Sequence, residues 1–275
     1  MNTSLRDLRY WLRIFRRHPA LSITLVLTLA LGIGGATTMF SVLYGVVLQP
    51  LPLREPDRLV VLSGASAPPT GSAVDWWSQG QTFEGMAKYR AGGVNLTEGE
   101  LPVRAPGASV SAGFFSVLGI SPQLGRTFTA DEEQLGNNRV AIMSDRLWAQ
   151  NYSRDQHVIG RTITLNGLAH TIVGVMPPGF SFPGRTDVWV PNEESGSVFM
   201  GDDDQTDLPF SLRDQLIGRL RPGITLQQAQ VQLTLLFDRY KEIAQRAGRG
   251  AGDGVRVLPL HDMLVGQVRH AFWIL

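Results

Sequence analysis

The sequence predicts an α+β chain in which one N-terminal transmembrane helix is followed by a two-part extracytoplasmic domain. A split strand-and-helix subdomain lies beside the membrane, and a β-rich subdomain is inserted into it. Three observations predict this arrangement. From Ala20 to Leu53 there is no Asp, Glu, Lys or Arg, although the composition as a whole is that of an average soluble protein, 43% hydrophobic and 18% charged. Strand-then-helix grammar opens and closes the remainder. Between these ends lies "RTITLNGLAHTIVGVM", two β runs joined by Asn166 and Gly167, the pair that tolerates the positive φ angles of a type I′ hairpin turn.

The charge-free run reads "ALSITLVLTLALGIGGATTMFSVLYGVVLQ". A bilayer core of about 30 Å needs roughly 20 apolar residues of helix, so residues 19–49 are assigned to a membrane span. The run is too long for a secretory signal, whose apolar region is about 7–15 residues. It is also longer than the charge-free stretches of buried core helices. Within it, Gly32, Gly34 and Gly35 supply small residues that would let a second helix approach closely.

Orientation follows from the flanks. Arg6, Arg9, Arg13, Arg16 and Arg17 precede the span with Asp7 as the single acid, whereas the far side opens with the mixed "REPDR". Positive charge stays inside, which puts residues 1–18 in the cytoplasm. Leu5, Leu8, Leu12 and Phe15 fall at helical spacing among those arginines. The segment therefore reads either as a basic amphipathic helix lying on membrane lipid or as a topology signal alone.

Beyond the span, "DRLVVLSG" is a strand ended by Gly64, and "SAVDWWSQGQTFEGMAKY" reads as a helix carrying Trp76, Trp77 and Phe83, a tryptophan pair more in keeping with core anchors than with a ligand platform. "LPVRAPGASVS" is a strand. Ser111 is expected to cap "AGFFSVLG", with Phe114, Phe115 and Leu118 inward and Gly119 as its stop. Arg139 to Met143 is a strand, and Ser144 caps a helix from Asp145. After the hairpin, "PPGFSFPG" breaks the chain and "TDVWVP" starts another strand. Residues 192–209 form a polar loop in which Asp202, Asp203, Asp204 and Asp207 do not match the spacing of a calcium loop. "SLRDQLIGRLRPGIT" is a strand and turn. Thr225 and Gln228 form a capping box for a helix whose apolar stripe is Leu226, Ala229, Leu233, Leu236, Phe237, Tyr240 and Ile243. Gly248 stops it, "GVRVLPL" is the last strand, and a helix from His261 heads back toward the membrane.

Pairing of the first and last parts places 50–98 and 206–259 in one membrane-proximal α+β subdomain, with 99–205 as the insertion and 260–275 as a stalk leading to the start of a second span. The chain has no cysteine, so disulfides cannot hold this domain together. His18, His157, His170, His261 and His270 show no metal spacing, and no nucleophile elbow or phosphate loop is present. His170 shares a hairpin face with Ile163 and reads as structural. The sequence points to no catalytic, cofactor-binding or metal residues, and its scattered, balanced charge gives no nucleic-acid surface.

Several long stretches carry a family resemblance: "LRYWLRIFRRHPALSITLVLTLALGIGGATTMFSVLYGVVLQPLP", "REPDRLVVL", "FFSVLGISPQLGRTFTADEE", "VAIMSDRLWAQNY", "VIGRTITLNGLAHTIVGVMPPGFSFP" and "GRLRPGITLQQAQ". In that order they resemble the amino-terminal half of a MacB/FtsX-like ABC transporter permease, over essentially the whole chain. The resemblance implies a four-helix permease of the bacterial inner membrane whose outer domain, with a Porter part and an inserted Sabre part, sits between the first two membrane helices. It implies a homodimer, or pairing with a related permease. A separate ABC ATPase would drive motion of the outer domain for export or envelope remodelling. By the same likeness Leu5 to Arg17, with the five arginines, lies near the ATPase, and no catalytic residue is carried over.

The family's remaining three membrane helices do not appear. Ala271 to Leu275 would span only about 7.5 Å at 1.5 Å per residue. The expectations are therefore a fragment of a permease, a truncated remnant, or a single-span non-catalytic envelope binding or sensor module. A membrane-anchored hydrolase is the weakest reading, for want of a site.

Overall fold

A computed structural model describes residues 19–43, 53–63, 81–97, 102–192, 215–246 and 254–263. The chain divides into two compact units, Met1–Pro50 and Leu51–Leu275.

The first unit contains α1, Pro19–Leu43, a helix of 25 residues. Its leucines and alanines favour helix, and its sequence leaves no charged face. Ile23, Val26, Leu27, Leu29, Leu31 and Ile33 are all exposed, and Thr28 returns its hydroxyl to the Thr24 carbonyl at 2.7 Å, so that polar group is satisfied within the helix. Side chains of α1 are described only within 23–37, and among the described residues no helix is long and apolar enough to cross a membrane. The basic segment 1–18, with Arg6, Arg9, Arg13, Arg16 and Arg17, lies outside the described residues, as does 44–50.

In the second unit the strands are β1 (Leu59–Ser63), β2 (Phe83–Thr97), β3 (Val103–Val110), β4 (Leu124–Gly125), β5 (Val140–Met143), β6 (Thr162–Leu165), β7 (Leu168–Val175), β8 (Val188–Pro191), β9 (Gln215–Leu220) and β10 (Arg256–Pro259). The helices are α2 (Phe114–Leu118), α3 (Asp145–Tyr152) and α4 (Leu226–Arg246). The ten strands among the described residues join one sheet in the order β10-β1-β9-β2-β3-β8-β5-β7-β4, and β6 pairs with both β2 and β7. That double pairing closes a ring of β2, β3, β8, β5, β7 and β6. The pairs β3–β8 and β5–β7 are parallel.

The first and last strands are neighbours, because β1 lies between β9 and β10. Alternation along β1 shows why "LVVL" is apolar at every position. Leu59 and Val61 face a cluster built on Phe114, Phe115 and Trp189, whereas Val60 and Leu62 face Ala229, Leu233 and Phe237 of α4. A strand buried on both faces reads as a continuous apolar run. Helix α4 starts as its sequence predicts: the Thr225 amide donates to Gln228 Oε1 at 2.9 Å, and the Gln228 amide donates back to Thr225 Oγ1 at 3.3 Å. The hairpin is also present, with Asn166 at φ 49° and Gly167 at φ 78°.

Two local expectations are corrected. Residues 83–89, expected within a helix, form the start of β2 and pair with β9 from Phe83 to Tyr89. Phe83 and Met86 pack toward α4, while Ala87 and Tyr89 join the opposite cluster; two-sided burial overrides the helix propensity of Glu84, Met86, Ala87 and Lys88. Trp76 and Trp77 lie outside the described residues. Ser111 does not cap α2: the cap position is Gly113, with no side-chain bond, and the Ser111 hydroxyl instead accepts from the Lys88 amide at 3.0 Å. Phe114, Phe115 and Leu118 do face inward, and Gly119 does end the helix at φ 69°.

Candidate functional site where the chain enters and leaves the sheet

The chain enters β1 through a 3-10 turn at Pro56–Arg58 and leaves β10 into a helical turn beginning at Leu260. Val60 is the antiparallel Cα partner of Pro259, so both connections lie at one end of the sheet. Leu53, before the turn, and Leu260, after β10, are buried in the same cluster, and Met263 packs against it. Two segments about two hundred positions apart in sequence thus share one anchorage.

A charged network organises that end. Glu55 adopts a left-handed conformation, φ 45° and ψ 64°, which turns its carboxylate back over the 3-10 turn. Arg58 donates Nη1 to Glu55 Oε2 at 2.5 Å, Nη2 to the Glu84 carboxylate at the start of β2, and Nε to the Leu220 carbonyl of β9 at 2.8 Å. One side chain therefore ties the incoming segment to two strands.

Arg219, the β9 partner of Leu59, completes the arrangement. It is 4% exposed, and its Nε donates to the Val117 carbonyl at 2.9 Å, satisfying one of the free carbonyls at the end of α2. Its Nη1 lies 3.8 Å from Glu55 Oε2, and neither Nη has a hydrogen-bond partner among the described residues. Burial is the largest influence on this guanidinium and lowers its pKa. Neighbouring Arg58 lowers it further, and Glu84 and Glu55 oppose the shift. An arginine so placed stays charged, so Glu55 is its nearest counter-charge. Gly119 allows the approach: a Cβ there would sit 2.7 Å from Arg54 Cβ and 3.3 Å from Arg219 Nη2.

Among the described residues this end of the sheet has no nucleophile with an adjacent base, and no group of three His, Asp or Glu could hold a metal ion. What it can do is mechanical: buried apolar contacts fix both chain connections to one sheet, and ion pairs add a second tie to the incoming one.

The sequence-predicted site residues lie elsewhere. Gly32, Gly34 and Gly35 sit on α1, where an added Cβ at any of them would meet nothing within 4 Å. His170 is buried opposite Ile163, with Nδ1 hydrogen-bonded to the Leu168 carbonyl at 2.9 Å and Nε2 without a hydrogen-bond partner among the described residues. Asp202, Asp203, Asp204 and Asp207 lie outside the described residues. Sequence reasoning missed Arg219 and Glu55; the available signal was an arginine inside the otherwise apolar run "LIGRL".

Residues 22–236 match the family described as MacB-like periplasmic core domain. The chain belongs to that family. MacB-like membership makes this chain part of a MacB/FtsX-like permease family and implies an extracytoplasmic domain of a membrane protein. It is a family of transporter permease domains and not of catalysts. The macrolide export ATP-binding/permease protein MacB of Salmonella typhi is 24% identical over 147 residues, 52% of this chain. The match spans only 21% of that relative's length. Among solved structures, the periplasmic region of MacB from Actinobacillus actinomycetemcomitans aligns at TM-score 0.51 and 12% identity, over 77% of this chain and 92% of that one. The extracellular domain of the noncanonic ABC-type transporter YknZ from Gram-positive bacteria aligns at TM-score 0.51 and 13% identity, over 73% and 99%. At these identities the likeness is one of fold.

Proposed function

We propose that the chain is the outer, membrane-anchored part of an ABC transporter permease subunit, and that it carries ATP-driven motion from a separate ATPase to the extracytoplasmic domain for export or envelope remodelling. The carrying observation is that the chain enters and leaves the sheet at one end, with Leu53 and Leu260 in one buried cluster. A domain held between two membrane segments needs that geometry, because displacement of either connection then reaches the whole sheet.

Helix α1 is the proposed first span. Its 25-residue backbone carries no Asp, Glu, Lys or Arg, and a helix apolar all round belongs in a core or a bilayer. Arg6, Arg9, Arg13, Arg16 and Arg17 would hold the amino terminus in the cytoplasm of a bacterial inner membrane, against lipid and the ATPase. Gly32, Gly34 and Gly35 would face another membrane helix, in this subunit or in its partner in a homodimer or with a related permease. The division into a Porter-like part, 50–98 and 206–259, and a Sabre-like insertion, 99–205, is supported by strand order: β10, β1, β9 and β2 are contiguous, and the remaining strands follow on one side.

The test uses the full-length protein extracted from its native membrane. Co-purification of a nucleotide-binding subunit, lost in an Arg13→Glu/Arg16→Glu variant, is the expected result. Since the chain has no cysteine, Ser4→Cys and Leu135→Cys variants report topology: an impermeant maleimide is expected to label Leu135→Cys in intact cells and Ser4→Cys only after lysis. Absence of any ATPase, with outside labelling of Leu135→Cys retained, would favour the single-span binding or sensor module instead.

A further inference from the structure

We infer a binding site for an organic anion, distinct from the chain-anchoring end, in a cleft of about 430 Å³ beyond the end of β5. Its walls are the Ser144–Arg146 corner and the loop from Gly179 to Asp187. Clefts of roughly 300–1,000 Å³ suit small organic ligands, which sets this one apart from a simple ion contact.

The sign of the ligand follows from which polar groups are already occupied. Asp187, 6% exposed, accepts from Ser144 Oγ at 2.8 Å, from Arg146 Nε at 3.0 Å and from Arg146 Nη2. Asp145 accepts from Gln123 Nε2 at 3.0 Å and from Arg154 Nη2 at 2.7 Å. Ser144 Oγ also accepts the Leu147 amide at 3.0 Å, so the first turn of α3 is capped internally. Ser181 donates to the Gly184 carbonyl. Both acids are thereby matched by an arginine, and a cationic ligand would have to displace one.

Two donors are left over. Arg185 is exposed and lines the cleft with no ion pair or hydrogen bond among the described residues, and Arg146 retains Nη1. The site therefore offers one unmatched positive charge and N–H donors, which suit a phosphate or carboxylate. The walls are stiff. Phe180 is 4% exposed and stacks on Trp189 at 5.4 Å, Thr186 Oγ1 donates to the Pro183 carbonyl at 2.6 Å, and the Thr186 amide donates to the Ser181 carbonyl at 2.9 Å. A ligand would present its anionic group to Arg185 and Arg146 and lay an apolar body along the Phe180 loop.

The test is calorimetric titration of the full chain in detergent micelles with four probes of similar size: phenyl phosphate, benzoate, benzyl alcohol and benzylamine. At least one anion is expected to bind, the neutral and cationic probes not. Arg185→Ala is expected to weaken the anion at least about tenfold, whereas Arg161→Ala, at an exposed arginine outside the cleft, leaves it unchanged. Because Arg185 is exposed and makes no ion pair or hydrogen bond among the described residues, its removal is expected to leave the fold intact. The relative affinity of phenyl phosphate and benzoate distinguishes a phosphate site from a carboxylate site. Equal binding of benzylamine, undiminished binding by Arg185→Ala, or no anion binding up to about 10 mM overturns the inference.

Discussion

Val60 and Pro259 face each other as antiparallel partners, and this single register brings the segment that leads into the sheet beside the segment that leads out of it. Leu53 and Leu260 then close over the same cluster as Phe114 and Phe115. Leu260, 1% exposed, is the better probe. Leu260→Ala is expected to cost about 2–4 kcal/mol, the range for a buried leucine whose site cannot collapse, in urea unfolding of the detergent-solubilised chain. A loss under about 1 kcal/mol would mean that the outgoing turn is not anchored there.

Arg219 supports the same end in a different way. Its stem fills buried space and its Nε holds the end of α2, yet neither Nη group has a hydrogen-bond partner among the described residues. Arg219→Ala loses packing and cap together and is expected to destabilise by about 2–3 kcal/mol. Arg219→Met keeps most of the volume and removes the unsatisfied donors, so its loss is expected to be smaller by about 1 kcal/mol or more. Equal losses in denaturant titration would show that the guanidinium, and not the stem, matters.

At Gly119 the demand is conformational. Its φ of 69° and the 2.7 Å approach of Arg54 Cβ leave no room for a side chain. Gly119→Ala is expected to cost about 1–2 kcal/mol from the left-handed backbone alone, and more from the displaced Arg54. A thermal midpoint unchanged from wild type would rule this out.

His170 gives the domain a pH dependence. Burial is the main cause that holds its imidazole below the ordinary histidine pKa; Arg139 acts in the same direction and the bond to the Leu168 carbonyl opposes it. The unfolded chain then binds the extra proton first, so the stabilising contribution is whole above about pH 6.5 and is lost as pH falls through the lower folded value. His170→Leu is expected to flatten stability over that acid window while leaving its slope unchanged above it. Parallel wild-type and variant curves from pH 7 to about pH 5 would contradict the assignment.

Much of this was legible locally. Asn166-Gly167, the Ser144 cap whose oxygen accepts the Leu147 amide, and the reciprocal Thr225–Gln228 pair each depend on residues within a few positions. What was not legible depends on distant partners. Residues 83–89 look helical because their propensities are helical, and only pairing with β9, more than a hundred positions later, makes them a strand. Arg219 meets Val117 across a separation of 102 positions, and Arg146 meets Asp187 across 41. The contacts that complete the anchoring network and the cleft therefore depend on distant partners, although the Arg58–Glu55 pair within the network is local.

The most direct test of the central claim is movement. With Leu135→Cys, at a residue 77% exposed on the second unit, spin-labelled in membranes that also contain the co-purifying ATPase, the distance distribution between two copies of the chain can be followed by pulsed electron resonance. Coupling of ATP to the outer domain predicts a shift of that distribution on adding ATP and its return after hydrolysis. A distribution identical in the nucleotide-free, ATP-bound and post-hydrolysis states would contradict it.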